Sequence, residues 1–330
     1  MNRIKRIALT LVLACVAGVS AAAEKPIELI IFPGGSNWPL WVAQDKGFFA
    51  AEGVAVNVTP TPNSVFQLTN LIDGKFDIAM TAIDNLVAYR EGQGEVPDKV
   101  GADLVAVMGG DRGFLKLVAA PGVQSIAGLR GKTVSVDAKS TGYAAVLFEL
   151  LERGGLREGD YAVERAGGVL QRFQALMEGR QSATMLVSPF ELQAQARGFT
   201  VLESVADSLG AYQGAVAGVR QGWARQNQAR LEGFIRAYVK GVEWLYDPAH
   251  KEEALRIFQN RVPNSNPAMA EAAFGVLVNE QSGFQRRAAL DPAGLEQVLK
   301  LRGKWGVPRK DMGSPSTYYD RGYYDRAIGR

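Results

Sequence analysis

The chain of 330 residues is 47% hydrophobic and 22% charged, with 37 glycines and 14 prolines, an apolar share that excludes long-range disorder and, at roughly 150 residues per domain, points to two lobes. Its formal charge of +3 comes from the amino terminus: residues 1–23 hold Arg3, Lys5 and Arg6 and no acid, leaving 34 basic against 34 acidic side chains and no basic stripe for a nucleic-acid partner. A single cysteine, Cys15, and a single histidine, His250, exclude a disulfide framework and a zinc site, and leave any Ser-His-Asp triad dependent on one imidazole.

Met1–Arg6 is a basic region, Ile7–Val19 an apolar run of 13 residues, and Ser20-Ala21-Ala22-Ala23 a small-residue A-x-A pattern before Glu24. This is the anatomy of a secretory signal peptide, and the apolar run is short for a membrane span. Cleavage near Ala23 is favoured over lipidation at Cys15, because Val12-Leu13-Ala14-Cys15 is a poor lipoprotein box that would cut the apolar core short. An exported protein is therefore expected.

Beyond residue 24, short apolar runs alternate with amphipathic ones. Ile27–Phe32 reads as a strand ended by Pro33-Gly34-Gly35, and Asn37–Phe49 as a helix with Pro39 in its first turn. Val54–Thr59 is the second strand, and Ser64 can cap a helix whose Val65, Leu68 and Ile72 share a face. Phe76–Ile83 is the third strand, with Asp84 or Asn85 as the next cap, and Leu104–Met108 and Phe114–Ala119 are further strands. The pattern then restarts: strand Lys132–Val136, a helix opened by Ser140-Thr141-Gly142, a helix marked by Leu170, Phe173 and Met177, strand Ala183–Val187, and a helix from Pro189. From Gln226 onward the chain reads as helical, and the tail Tyr318-Tyr319-Asp320-Arg321-Gly322-Tyr323-Tyr324-Asp325-Arg326 is either a packed aromatic strap or a frayed end. Strand–helix alternation in two runs implies an α/β fold of two lobes with parallel strands. The expected division is 24–113, 114–216, and a helical region 217–330 returning to the first lobe.

In open α/β sheets ligands bind beyond the carboxyl ends of strands, and a small polar cluster stands at each such point. They are Ser36-Asn37-Trp38 after the first strand, Asn63-Ser64 after the second, and Asp84-Asn85 after the third, with Ser140-Thr141-Gly142-Tyr143 and Ser188-Pro189-Phe190 in the second run. Each cluster alone reads most simply as an ordinary helix cap. Five on one rim are a candidate anion site, because unpaired N–H groups converge there. Trp38, Tyr143 and Phe190 are candidate stacking partners for an organic body, with Phe66 as readily a core residue. Asp84 is first a cap and second a partner for an amino or hydroxyl group of a ligand, and Arg112 and Lys116 are expected at the surface. Gly128-Leu129-Arg130-Gly131-Lys132-Thr133 fails the Walker spacing, since Ile126 stands where glycine is required. No G-x-G-x-x-G follows the first strand, so no cofactor is expected.

The run Trp38-Pro39-Leu40-Trp41-Val42-Ala43-Gln44-Asp45-Lys46-Gly47-Phe48-Phe49 with Glu52-Gly53-Val54 resembles a signature of periplasmic substrate-binding proteins of the nitrate, taurine and alkanesulfonate type and of the binders of the thiamine pyrimidine precursor. Leu71-Ile72-Asp73-Gly74-Lys75-Phe76-Asp77-Ile78-Ala79 and Gly128–Val134 resemble two further steps of that family. The resemblance covers roughly residues 27–250 and implies a two-lobed type II clamp, monomeric and non-enzymatic, that binds a small organic anion in the periplasm. It further implies delivery to an inner-membrane ABC permease with its ATPase. The family's pocket positions fall on Ser36–Trp38, Ser64, Ile83–Asn85, Ser140–Tyr143 and Ser188–Phe190, whereas Gly179-Arg180-Gln181-Ser182-Ala183 departs from the family pattern. The alternatives are an enzyme on the same fold, of the thiamine-pyrimidine or menaquinone-pathway type, and a periplasmic solute sensor. The cysteine-rich motif of the thiamine-pyrimidine enzymes is absent.

Overall fold

The computed structural model describes residues 25–329; the signal-peptide reading and Cys15 lie outside them. Among the described residues ten strands form two five-stranded sheets. The first contains β1 (Ile27–Ile31), β2 (Val56–Pro60), β3 (Ile78–Ala82), β4 (Leu104–Gly109) and β10 (Ala215–Arg220) in the order β2-β1-β3-β10-β4. The second contains β5 (Lys116–Ala119), β6 (Thr133–Val136), β7 (Ala162–Arg165), β8 (Ala183–Leu186) and β9 (Thr200–Ser204) in the order β7-β6-β8-β5-β9.

The central strands are apolar along their whole length because helices cover both faces, so Ile78–Ala82 and Leu104–Gly109 are buried at every position. The expectation of parallel strands holds for β1 with β2 and β3, and for β6 with β7 and β8. It fails for β5 and β10, which run antiparallel to both of their neighbours. These are the first strands after each passage between the sheets, so neither enters through a helical crossover on its own sheet, and the handedness that makes βαβ strands parallel does not act on them. The second passage ends at Ala215, so residue 216, the expected end of the second lobe, lies inside β10.

The expected helix Asn37–Phe49 is split into Trp38–Asp45 and Phe48–Ala51 by Gly47, whose φ of 69° is left-handed. Helix Ser64–Ile72 is capped by Asn63, whose side chain accepts the Phe66 N–H, not by Ser64. Helix Ile83–Arg90 begins after Ala82 and places Asp84 and Asn85 in its first turn, not at its cap. The tyrosine-rich tail is a packed strap. Tyr318 and Asp320 exchange backbone hydrogen bonds with Ala106 of β4, and the Tyr318 hydroxyl reaches Glu91. Tyr323 and Tyr324 are buried. Among the described residues no helix is long and apolar enough to cross a membrane, and no cluster of metal-ligating side chains occurs.

Candidate functional site

The two lobes meet along a seam of main-chain contacts. The Gly35 N–H donates to the Ser188 carbonyl and the Gly168 N–H to the Pro62 carbonyl, each at 2.9 Å. Helix Pro292–Trp305 packs on Ile83–Arg90 of the first lobe and Gly142–Arg153 of the second. From it, Arg302 engages both Asp84 carboxylate oxygens and donates to the Ser140 carbonyl at 2.8 Å. Lys304 and Trp305 of the same helix reach Glu149.

Between the lobes lies a cavity of about 60 Å³. Since a buried water needs roughly 10–15 Å³ measured in this way, the space suits a solute of a handful of non-hydrogen atoms. Its first-lobe wall is made by Phe32, Pro33, Ser36 and Asn37 after β1, by Met80–Ala82 at the end of β3, and by Asn85. The second lobe supplies Asp137 after β6, Thr141 and Tyr143 at the start of their helix, Val169 and Arg172 of helix Val169–Met177, and Val187. The passages between sheets add Asp111, Phe114 and Ala215.

The polar groups are held by short local bonds. The Asn37 amide donates to the Phe32 carbonyl at 2.7 Å and the Gly34 carbonyl at 3.0 Å, and the Asn85 amide to Thr81 Oγ1 at 3.0 Å. Arg172 is only 3% exposed, and two of its N–H groups are fixed on the Gly167 and Met185 carbonyls. Burial lowers its pKa, with nearby Asp137 acting in the opposite sense. Among the described residues Arg172 forms no ion pair, so its charge is unneutralised at contact distance. Asp137 Oδ2 accepts the Ser64 N–H across the seam at 2.8 Å, while its Oδ1 is buried without a partner. Asp111 accepts the Gly113 N–H at 2.8 Å and is pushed up to about 6 by burial. Burial likewise raises the Tyr143 phenol, which stays a neutral hydroxyl.

Of the residues singled out from sequence, Ser36, Asn37, Asn85, Thr141 and Tyr143 line this cavity and the others do not. Trp38 points into the core, fully buried against Phe258 at 4.5 Å and Phe274 at 5.8 Å. Phe190 packs on Phe173. Ser64 contributes its N–H to the seam, Ser140 donates to Glu95 at 2.8 Å, and Ser188 donates to Glu191. Asp84 is consumed by Arg302, and Gly142 lies so close to Asp84 that a β-carbon would stand 2.5 Å from the Asp84 Cβ. Caps, seam contacts and cavity lining draw on the same small polar residues, so sequence alone does not separate the three. Arg172, Asp137 and Asp111 also line the cavity and are not among the residues singled out from sequence. Arg172 did carry a signal: with Val169, Phe173 and Leu176 it falls at i, i+3, i+4 and i+7, a charge on an otherwise apolar buried stripe.

The fold recurs in solved structures. The periplasmic nitrate-binding protein NrtA from Synechocystis superposes with a TM-score of 0.75 at 15% identity, covering 92% of this chain and 88% of that one. The periplasmic aliphatic sulphonate binding protein SsuA from Escherichia coli gives 0.68 at 15%, covering 89% and 92%. The desulfurization enzyme DSZB gives 0.63 at 16%, covering 92% and 99%. At these identities the likeness is one of fold, the α/β periplasmic-binding-protein architecture of two mixed sheets with flanking helices. No curated protein sequence matches the chain. The family model described as NMT1/THI5 like matches residues 36–252, two thirds of the sequence and every cavity-lining residue except Phe32 and Pro33, so the chain belongs to the NMT1/THI5-like family.

Proposed function

We propose that the protein is the solute-binding component of an ABC importer, exported across the inner membrane, that captures a small organic anion between its lobes and hands it to a permease with its ATPase. The observation that carries this reading is Arg172, a buried guanidinium without an ion-pair partner among the described residues, in a cavity walled by both lobes. A carboxylate or sulfonate there gains a charge-assisted hydrogen bond in a place where water competes little. Ser36, Asn37, Asn85, Thr141 and Tyr143 supply further polar contacts, and Phe32 and Phe114 pack on the apolar part. Because the walls come from separate lobes, the solute stabilises the closed form, and the closed form is what a permease distinguishes. The protein acts as a monomer without cofactor or chemical step. That a periplasmic nitrate-binding protein and a periplasmic aliphatic sulphonate binding protein share the fold supports the anion, and the small cavity favours a short one.

The test is a thermal-shift screen of the purified protein against short carboxylates, sulfonates, nitrate and pyrimidines, since a solute that binds only the folded state raises its melting temperature. Short organic anions raise it by several degrees, and Arg172→Met abolishes the rise while the ligand-free protein still melts cooperatively. A response to cations alone, or conversion of a bound solute into product, overturns the reading.

A further inference from the structure

Asp111 stands where the cavity meets the two passages between the lobes. It is buried, lines the cavity, and accepts the Gly113 N–H on the first passage at 2.8 Å and the Ala215 N–H on the second. The second passage is cut away to admit it: a β-carbon on Gly214 would stand 1.9 Å from Asp111 Oδ1. Among the described residues no cation pairs with it. The adjacent Arg112 pairs with Asp291, and on the segment bridged to Asp111 at Phe284, Arg286 and Arg287 pair with Glu280 and Glu243. Tyr143, Tyr212 and Tyr238 sense its charge, and burial keeps these three phenols neutral. The other charges on the wall are Arg172, a guanidinium at every ordinary pH, and Asp137, tied at the seam by the Ser64 N–H. Burial alone already brings the Asp111 carboxyl up to about 6. A further negative charge enclosed with it raises it again, into the neutral range.

We propose that Asp111 takes up a proton when an anion enters the cavity, so that solute and proton are bound together. This rests on the reading of the cavity as a site for anions and adds a second, coupled ligand to it. In about 60 Å³ the two negative charges repel with little water between them. The proton comes from solvent and adds to a carboxylate oxygen of Asp111, so the charge brought in by the anion is cancelled within the site. The acid form keeps an oxygen that accepts the Gly113 N–H, and the passages stay tied. Linkage fixes the sign: an anion that binds with a proton binds more tightly as the pH falls, by up to about tenfold per pH unit between the carboxyl's occupied and unoccupied pKa values. Acid surroundings thus favour capture and alkaline ones release.

Calorimetry on the purified protein tests this with ethanesulfonate and nitrate, which stay fully ionised from pH 5 to pH 8, in amine buffers. The Kd of at least one of them falls by about tenfold or more between pH 8 and pH 5.5. Mixing the same anion with the protein in unbuffered solution near pH 7 raises the pH, as protons are withdrawn from solvent. In Asp111→Asn the amide oxygen still accepts the Gly113 N–H, and the dependence shrinks to about threefold or less. A Kd that does not change with pH overturns the coupling and leaves the anion carrier standing. A variant that keeps the full dependence overturns the assignment to Asp111 and passes it to Asp137 or to Glu191, which is buried beneath the seam. Failure of both anions to bind overturns the carrier reading together with the coupling. Should the variant not fold, the unbuffered measurement on the unaltered protein decides, and binding without proton uptake overturns the proposal.

Discussion

Glu191 sits almost completely buried beneath the seam, accepting a hydrogen bond from Ser188 Oγ while its Oε2 has no partner. Burial pushes its carboxyl from an ordinary 4.5 up to about 7. Between those two values the folded chain binds more protons than the unfolded chain, so this residue's contribution falls as the pH rises through 7. Asp111, raised to about 6, acts in the same direction over a lower range. Glu191→Gln keeps the acceptor for Ser188 and removes the charge. We expect it to unfold like the parent near pH 4.5 and to gain on the order of 2 kcal/mol at pH 8, measured by denaturant titration across that range. An unchanged pH dependence would show that Glu191 is solvated. Nothing at the level of single residues announced this group. Glu191 reads in sequence as an acid in a helical first turn, which is an ordinary place for one.

Among the elements, helix Pro292–Trp305 joins parts of the chain that are remote in sequence. Asp84 and Arg302 are each about 2% exposed and pair with each other. Removing one member of a buried pair strands the other charge at a cost of about 3–5 kcal/mol, whereas removing both is often near neutral. Arg302→Met is thus expected to lower unfolding stability by about that amount, and Asp84→Asn with Arg302→Met to recover most of it, as read from urea midpoints. Equal losses in the single and double variants would sink this account. The elements themselves were largely legible. Apolar runs bounded by glycine and proline marked β1, β3 and β4 to within about a residue or two, and the helical reading from Gln226 onward takes in the helix Gln228–Leu245. What sequence withheld was partnership. Asp84 and Asn85 are adjacent strand-end residues of the same polar class, yet one faces Arg302 across 218 positions and the other faces the cavity. Only the docking of Pro292–Trp305 separates them. The antiparallel direction of β5 and β10 was hidden for a similar reason, since periodicity records burial and not the side from which a strand arrives.

Across the whole molecule, the lobes meet as bare backbone against backbone. The Gly168 N–H bonds to the Pro62 carbonyl of the other lobe, and a β-carbon at that position would stand 2.7 Å from the same oxygen. Its φ of −60° and ψ of 179° suit alanine, and within its own lobe the β-carbon would meet only the flexible Gln171 side chain at 3.1 Å, so Gly168→Ala wedges the seam at little cost to that lobe. The expected outcome is a ligand-free melting temperature within a few degrees of the parent, a larger radius of gyration in small-angle scattering with solute present, and affinity reduced by about tenfold or more. Unaltered affinity would mean that the seam tolerates a methyl group and does not govern the closed population. The pocket as a whole was legible as a rim of strand ends, and its charge was not. Helix termini suggested diffuse positive potential, whereas the wall concentrates it in Arg172 and opposes it with Asp111 and Asp137.

The clasp between Asp84 and Arg302 also bears on how fast the chain can fold. The carboxylate belongs to the first third of the chain and its guanidinium partner lies 218 positions later, and contacts of such separation carry a loop-closure cost and slow folding. A fragment ending before Arg302 would have to bury Asp84 bare or leave the first lobe ajar.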